Sequence, residues 1–227
     1  ISGPAVSSTN GTGNPISTVY FVTTTYFGCI TTDSVVVTVN PVPVSDAGAD
    51  VSFCSGGSAN IGTPPTTGYS YSWTPATGLS GSAIADPSIT LFNTANFVQQ
   101  INYIVTSTVF NCVTTDTVLV IVYPIPTASF TPPSGQCLTN NSFSFAGNGT
   151  FLPSAAFLWD FGINATPQYA TVQNPSDINF LIPGTQPVSF TITQFGCTSN
   201  VAMNTVNVYP MPLISYSTDN FSGCQPL

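Results

Sequence analysis

The chain has 227 residues with no Lys, Arg, His or Glu, so its formal net charge of −8 comes from Asp alone. That removes the commonest general acids and bases and the cationic clamps that hold anionic substrates. It also removes the phosphate contacts on which nucleic-acid binding rests, and no apolar run approaches the ~20 residues of a spanning helix. An enzyme, a nucleic-acid binder and a membrane-inserted protein are therefore not expected. Residue 1 is Ile and no basic start or apolar stretch follows, as in a mature product or an excised piece.

In chain order, the predicted elements are strands. Sixteen Phe, nine Tyr and two Trp, set against 20 Pro and 18 Gly, give short β-branched and aromatic runs something to bury and argue for a folded chain over a disordered one. Tyr103-Ile104-Val105-Thr106 and Val118-Leu119-Val120-Ile121-Val122 are the clearest. Strong helix formers are scarce, and Pro or Gly interrupts most windows of a dozen residues. The expected fold is all-β, built from sandwich modules.

An internal repeat sets the boundaries. Three aromatic-Gly/Asn-Cys turns, Phe27-Gly28-Cys29, Phe110-Asn111-Cys112 and Phe195-Gly196-Cys197, each lead into a Val-rich strand and then Pro-x-Pro, at Pro41-Val42-Pro43, Pro124-Ile125-Pro126 and Pro210-Met211-Pro212. A second cysteine follows each Pro-x-Pro, at Cys54, Cys137 and Cys224. Residues 1–43 read as the closing half of a module, 44–126 and 127–212 as complete modules, and 213–227 as the start of another. The Pro-x-Pro junctions favour semi-rigid spacing, so an elongated rod of tandem modules that continues in both directions is expected.

Trp159-Asp160-Phe161-Gly162, after Ala155-Ala156-Phe157-Leu158, resembles the W-D-F-G signature of PKD domains, with Ser129-Phe130 and Phe143-Ser144-Phe145 fitting that family's first strands. Residues 44–126, with Asp46-Ala47-Gly48-Ala49-Asp50, Cys54-Ser55-Gly56-Gly57, Tyr71-Ser72-Trp73-Thr74-Pro75, Gly78-Leu79-Ser80 and Phe110-Asn111-Cys112, are similar to the immunoglobulin-like modules of giant secreted Bacteroidota proteins. The resemblance, to SprB-like gliding-motility adhesins, implies type IX secretion and display at the cell surface. Ile163-Asn164 replaces the second Asp of the PKD signature.

Trp73 and Trp159 are expected in the core, between sheets. The regularly spaced cysteines read as a disulfide framework in an oxidising compartment, since a zinc site would lack both a C-x-x-C pair and His. The repeat suggests pairing within modules, Cys54 with Cys112 and Cys137 with Cys197, leaving Cys29 and Cys224 for partners outside these residues. A sandwich would place such pairs at opposite poles, which keeps a second pairing open, Cys54 with Cys197 of the next module.

Asp46 and Asp50 flank a junction where Ca²⁺ is one alternative and a solvated Asp turn the other. Asp160 is expected to brace its loop. No other cofactor is expected. Ser34 and Thr117 occupy equivalent positions in Asp33-Ser34-Val35 and Asp116-Thr117-Val118, which resemble Bacteroidota O-glycosylation sites; Asn10, Asn140, Asn148, Asn164 and Asn220 head N-x-S/T sequons. The resulting expectation is a non-enzymatic, extracellular stalk segment that binds surface polymers or glycans and neighbouring modules. The alternatives are an ancillary module array of a secreted carbohydrate-active enzyme or protease, and a subunit of an extracellular filament.

Overall fold

The structure, a computed structural model, describes residues 5, 6 and 8–217. All regular elements among them are strands, and the chain divides into two units, Ile1–Pro124 and Ile125–Leu227.

The first unit opens with a hairpin, β1 (Ile16–Tyr26) and β2 (Cys29–Val39), paired along its whole length from Ile16↔Val39 to Tyr26↔Cys29. Phe27 and Gly28 turn it with φ of 46° and 81°. Two successive positive φ values are the tight hairpin turn whose twist matches the strands on either side.

A sandwich follows, made of β3 (Val51–Cys54), β4 (Ser58–Asn60), β5 (Ser70–Thr74), β6 (Ser88–Thr90), β7 (Gln99–Val109) and β8 (Cys112–Tyr123). One sheet has the order β3-β8-β7-β5 and the other pairs β4 with β6. β3 runs parallel to β8, while the other pairings are antiparallel. Every second residue of the β7–β8 hairpin points inward, which buries Tyr103, Val105, Ser107 and Val109 from one strand and Val118, Val120 and Val122 from the other. Trp73 of β5 fills the space between the sheets, and its indole N–H donates to the Ile84 carbonyl at 2.9 Å. The chain crosses this indole at Gly62, whose φ is +81°. A Cβ there would lie 2.9 Å from the ring and would overlap the Ala85 carbonyl oxygen, so a side chain is excluded.

The β1–β2 hairpin has the same turn and strand pattern without the opposing layer. Val22 and Val35 are 59% and 58% exposed, whereas Val105 and Val118, at the matching repeat positions, are 1% and 0% exposed.

Ser107 is fully buried, and its hydroxyl finds no partner among the described residues. An unmade hydrogen bond in the interior costs ~1–3 kcal/mol. Ser107→Ala should therefore stabilise the first unit by about 1 kcal/mol in denaturant unfolding. A loss of stability would show that the hydroxyl is satisfied.

The second unit contains β9 (Thr127–Phe130), β10 (Gln136–Cys137), β11 (Gly147–Thr150), β12 (Ala156–Asp160), β13 (Ala165–Thr166), β14 (Tyr169–Ala170), β15 (Asn179–Phe180), β16 (Gly184–Gln194), β17 (Cys197–Thr198) and β18 (Ala202–Tyr209). Its main sheet has the order β10-β18-β16-β12-β14, with β17 on β16, and β10 lies parallel to β18 as β3 does to β8. The pairs β11–β9 and β13–β15 complete the unit. Trp159, fully buried, is the centre of an aromatic core. Its ring stacks on Phe190 at 4.1 Å and on Phe161 at 5.8 Å, and Phe130 meets it edge-on at 4.9 Å. Both tryptophans are thus core residues.

Candidate functional site

The residues able to do chemistry in this chain are its Asp, Tyr and Cys side chains. Most of the carboxylates are engaged in holding loops. Asp46 accepts from its own turn at Gly48 N (2.9 Å), Asp50 from Leu119 N (2.9 Å), and Asp116 from Ala47 N (2.8 Å). Asp50 and Asp116 thereby tie the segment before and after Ala47 to β8. Asp160 accepts from Gly162 N at 2.8 Å, the loop brace that its turn position suggests. Asp33 caps Ser34 N at 2.8 Å, and Asp177 accepts from the hydroxyls of Ser142 and Ser176. No group of three or more Asp or Cys able to hold a metal ion occurs among the described residues. Asp46 thus makes an Asp turn within its own loop, whereas Asp50 bonds across to β8.

Tyr103 is buried and its phenol donates to the Thr77 carbonyl at 2.6 Å. Desolvation raises its pKa above the ordinary 10.0, because burial disfavours the phenolate. The neutral phenol is the folded form, so its contribution to stability is complete below about pH 10 and falls as pH rises through the folded value. Tyr103→Phe should cost about 1 kcal/mol at neutral pH and reduce the alkaline loss of stability, measured by unfolding across that range. An unchanged alkaline slope would assign the effect to other tyrosines.

Two buried asparagines were not marked out by the sequence. Asn141 donates to the carbonyls of Leu138 (2.7 Å) and Phe180 (2.9 Å) and accepts from Phe180 N (2.7 Å). Asn93 does the same work in the first unit, with Phe97 O, Val122 O and Ala95 N. Each side-chain amide stands in for a strand at a place where loops meet the sheet. The only cue in the sequence is Asn a few residues before or after an aromatic, which is too common here to be diagnostic.

The cysteines correct the within-module expectation. Cys54 lies opposite Tyr123, and Ser55 N donates to the Tyr123 carbonyl at 2.9 Å. Cys112 begins the same strand that Tyr123 ends, so 11 residues at ~3.3 Å put roughly 36 Å between Cys112 and that pole. Cys137 likewise lies opposite Tyr209, with Leu138 N bonded to the Tyr209 carbonyl at 2.8 Å, while Cys197 pairs with Gln194 at the far end of β16. Disulfides require Cα atoms ~4.4–6.8 Å apart. Neither Cys54 with Cys112 nor Cys137 with Cys197 can form, because the early cysteine runs parallel to the last strand and ends at the opposite pole. Cys54 and Cys197 are each disulfide-bonded, whereas Cys29, Cys112 and Cys137 carry free thiols. Cys224 lies outside the described residues.

Ser34 and Thr117 are exposed on β2 and β8 at matching positions. Asn140 and Asn148 are exposed, Asn10 and Asn164 half-buried, and Asn220 lies outside the described residues. Open depressions mark the surface of the described residues, and two of them bear on a site. One, about 460 Å³, is bounded by Val6 and, on the first hairpin, by Tyr20, Phe21, Asp33, Ser34 and Val35. The other, about 200 Å³, lies over Asp160, Pro187 and Met203. Neither brings together an acid, a base and a nucleophile.

Strand order, inward alternation and a tryptophan between two sheets define immunoglobulin-like β-sandwich modules arranged in tandem. No sequence-family model matches the chain, and no curated protein matches it either. Among solved structures, it is similar to an I-band fragment of titin at 10% identity, covering 74% of this chain and 65% of that one, with a TM-score of 0.45. It is also similar to domains 3–5 of Drosophila OTK, at 10% identity, 86% and 71% coverage and a TM-score of 0.48. The eight N-terminal immunoglobulin domains of Down Syndrome Cell Adhesion Molecule give 10% identity, 86% and 27% coverage and a TM-score of 0.47. The chain spans about two thirds of the titin fragment's length. The fold assignment rests on the strand order and cores described above.

Proposed function

We propose that this chain is a segment of an extracellular, surface-displayed stalk that acts by spacing and adhesion and catalyses no reaction. One observation carries the reading: a single module plan recurs, with its aromatics in the core and its Asp oxygens bonded to loop backbone. Such a plan uses its polar chemistry for construction. Disulfide-bonded cysteines support an oxidising, extracellular compartment. The β1–β2 hairpin, with core-type residues uncovered, is read as the closing half of a further module of the same kind, in keeping with boundaries near 43, 126 and 212. Secretion by a type IX route and a part in gliding follow from the sequence resemblance. Glycans or other surface polymers are the proposed partners, bound weakly by each module and strongly by many.

The test uses the full chain, once as a monomer and once displayed in many copies on a bead. An extended scattering profile, no hydrolysis of polysaccharide or peptide substrates, and an avidity gain of ~10²–10⁴ on glycan surfaces for the displayed form are expected. Hydrolysis, or one tight small-molecule site on the monomer, would overturn the reading. Ser34 and Thr117 are the proposed O-glycan sites. Protein secreted by its natural host should carry added mass at both, and S34A with T117A should remove it.

A further inference from the structure

We propose that the loop of residues 91–98, between β6 and β7, is a glycan-binding subsite in which the rings of Phe92 and Phe97 stack on pyranose faces of a neutral surface polysaccharide. The proposal rests on the adhesive reading above and gives it a place within the first unit.

The loop is built to hold its shape. Leu91 and Asn93 are buried, 8% and 6% exposed, while Phe92 between them turns outward. The Asn93 side chain donates to the carbonyls of Phe97 at 2.9 Å and Val122 at 2.8 Å and accepts from Ala95 N at 2.9 Å. Its backbone N–H donates to the Ser55 hydroxyl at 2.8 Å. One residue before Phe92, the Leu91 carbonyl accepts from Gly56 N at 2.8 Å. The backbone on both sides of Phe92 is thus tied to the sandwich, and Phe97 is tied to Asn93. The Phe92 ring is placed as well, because it lies against Gly56, where a Cβ would stand 3.2 Å from Phe92 Cε1.

This clamp holds out apolar rings. Phe92 is 74% exposed and Phe97 63%. A ring kept in water forgoes the free energy that the core aromatics recover by burial, and a plain spacer gains nothing from fixing two of them in the open. The loop carries no charge, and a chain without Lys, Arg or His has no cation with which to clamp an anionic ligand. Thr94 and Asn96, both exposed, lie between the two Phe in sequence and add a hydroxyl and an amide, which donate and accept hydrogen bonds. The ligand that matches this set is uncharged, has an apolar face to lay on a ring, and carries hydroxyls around its rim. A pyranose of a neutral polysaccharide has all three properties. Size argues against a protein partner: the two rings offer on the order of 250 Å², against about 800 Å² per partner in a specific protein interface. A loop already held in shape loses little conformational freedom on binding, which suits a weak site used in many copies.

The experiment is affinity electrophoresis of the full chain through gels containing a soluble β-1,3-glucan, a soluble β-1,4-glucan or an α-mannan. Retardation by at least one of them is expected. F92A/F97A should bind that polymer at least tenfold more weakly, and F92Y/F97Y, which keeps two rings, should stay within twofold of the parent. Both side chains are exposed, so the unfolding midpoint of the first unit, followed through Trp73, should not move in either variant. A loss smaller than tenfold in F92A/F97A would overturn the subsite and leave glycan adhesion standing. No retardation of the parent by any of the three polymers would overturn the glycan partnership and the subsite with it. A parent dimer that F92A/F97A converts to a monomer in sedimentation would assign the rings to a second copy of the chain and would also overturn the proposal.

Discussion

Trp159→Ala should remove about 4 kcal/mol from the second unit, the largest loss expected from one substitution in the chain. The indole is fully buried, stacks on Phe190 and Phe161 and meets Phe130 edge-on, and its N–H donates to the Val172 carbonyl at 3.2 Å. Truncating a buried Trp costs ~3–5 kcal/mol, since the lost transfer energy is joined by the cavity left behind. Domains have only ~5–15 kcal/mol in total, so the variant should unfold at much lower denaturant. The two tryptophans divide the measurement. Trp73 remains as a fluorescence reporter of the first unit, whose transition should stay in place, while circular dichroism follows the early loss of the second. A change below about 1 kcal/mol would mean that the aromatic cluster closes over the gap and that the core is less fixed than its ring geometry implies.

The second large effect is expected at Asn141. Its removal leaves the Phe180 N–H and the carbonyls of Leu138 and Phe180 without their side-chain partner in a buried place. Each stranded group costs ~1–3 kcal/mol, and relaxation recovers part, so Asn141→Ala should destabilise the second unit by about 3 kcal/mol. Asn141→Asp is the sharper probe. It retains an acceptor for Phe180 N and loses both donors, so a near-normal midpoint would show that the accepted bond dominates.

The sequence made some of these features legible and hid others for a physical reason. The β7–β8 hairpin could be read because alternation of period two needs only neighbouring residues, and Val118, Val120 and Val122 declare their inward face by themselves. The core places of Trp73 and Trp159 follow from the same alternation. The parallel pairing of Val51–Cys54 with Val120–Tyr123 joins residues 69 apart, and no local pattern encodes which way such a segment runs. The cysteine assignment failed at this point: the repeat gave the spacing of Cys54 and Cys112, while the direction of β3 decides their poles. The Asn141 and Asn93 clamps were hidden because a polar residue in a polar-rich chain carries no mark of burial. As for a site, the missing cations excluded most chemistry in advance, and the carboxylates that remained could be assigned to backbone only once the loops were in place.

The parallel partnership of β3 with β8 also sets how a module answers tension. The module receives the chain at one pole and releases it at the other, and β3 and β8 both point toward the outlet. Pulling on the two ends draws β3 back toward the inlet and β8 forward, so the strands are made to slide along their common axis. All the backbone bonds between Val51↔Val120 and Cys54↔Tyr123 are then strained together, and none can open before the others. A pair with its ends at one pole would instead peel apart bond by bond. The β10–β18 pair, with Gln136↔Val208 and Cys137↔Tyr209, repeats the shear geometry in the second unit over a shorter contact, which makes that unit the one expected to yield first where the strand pair is the barrier.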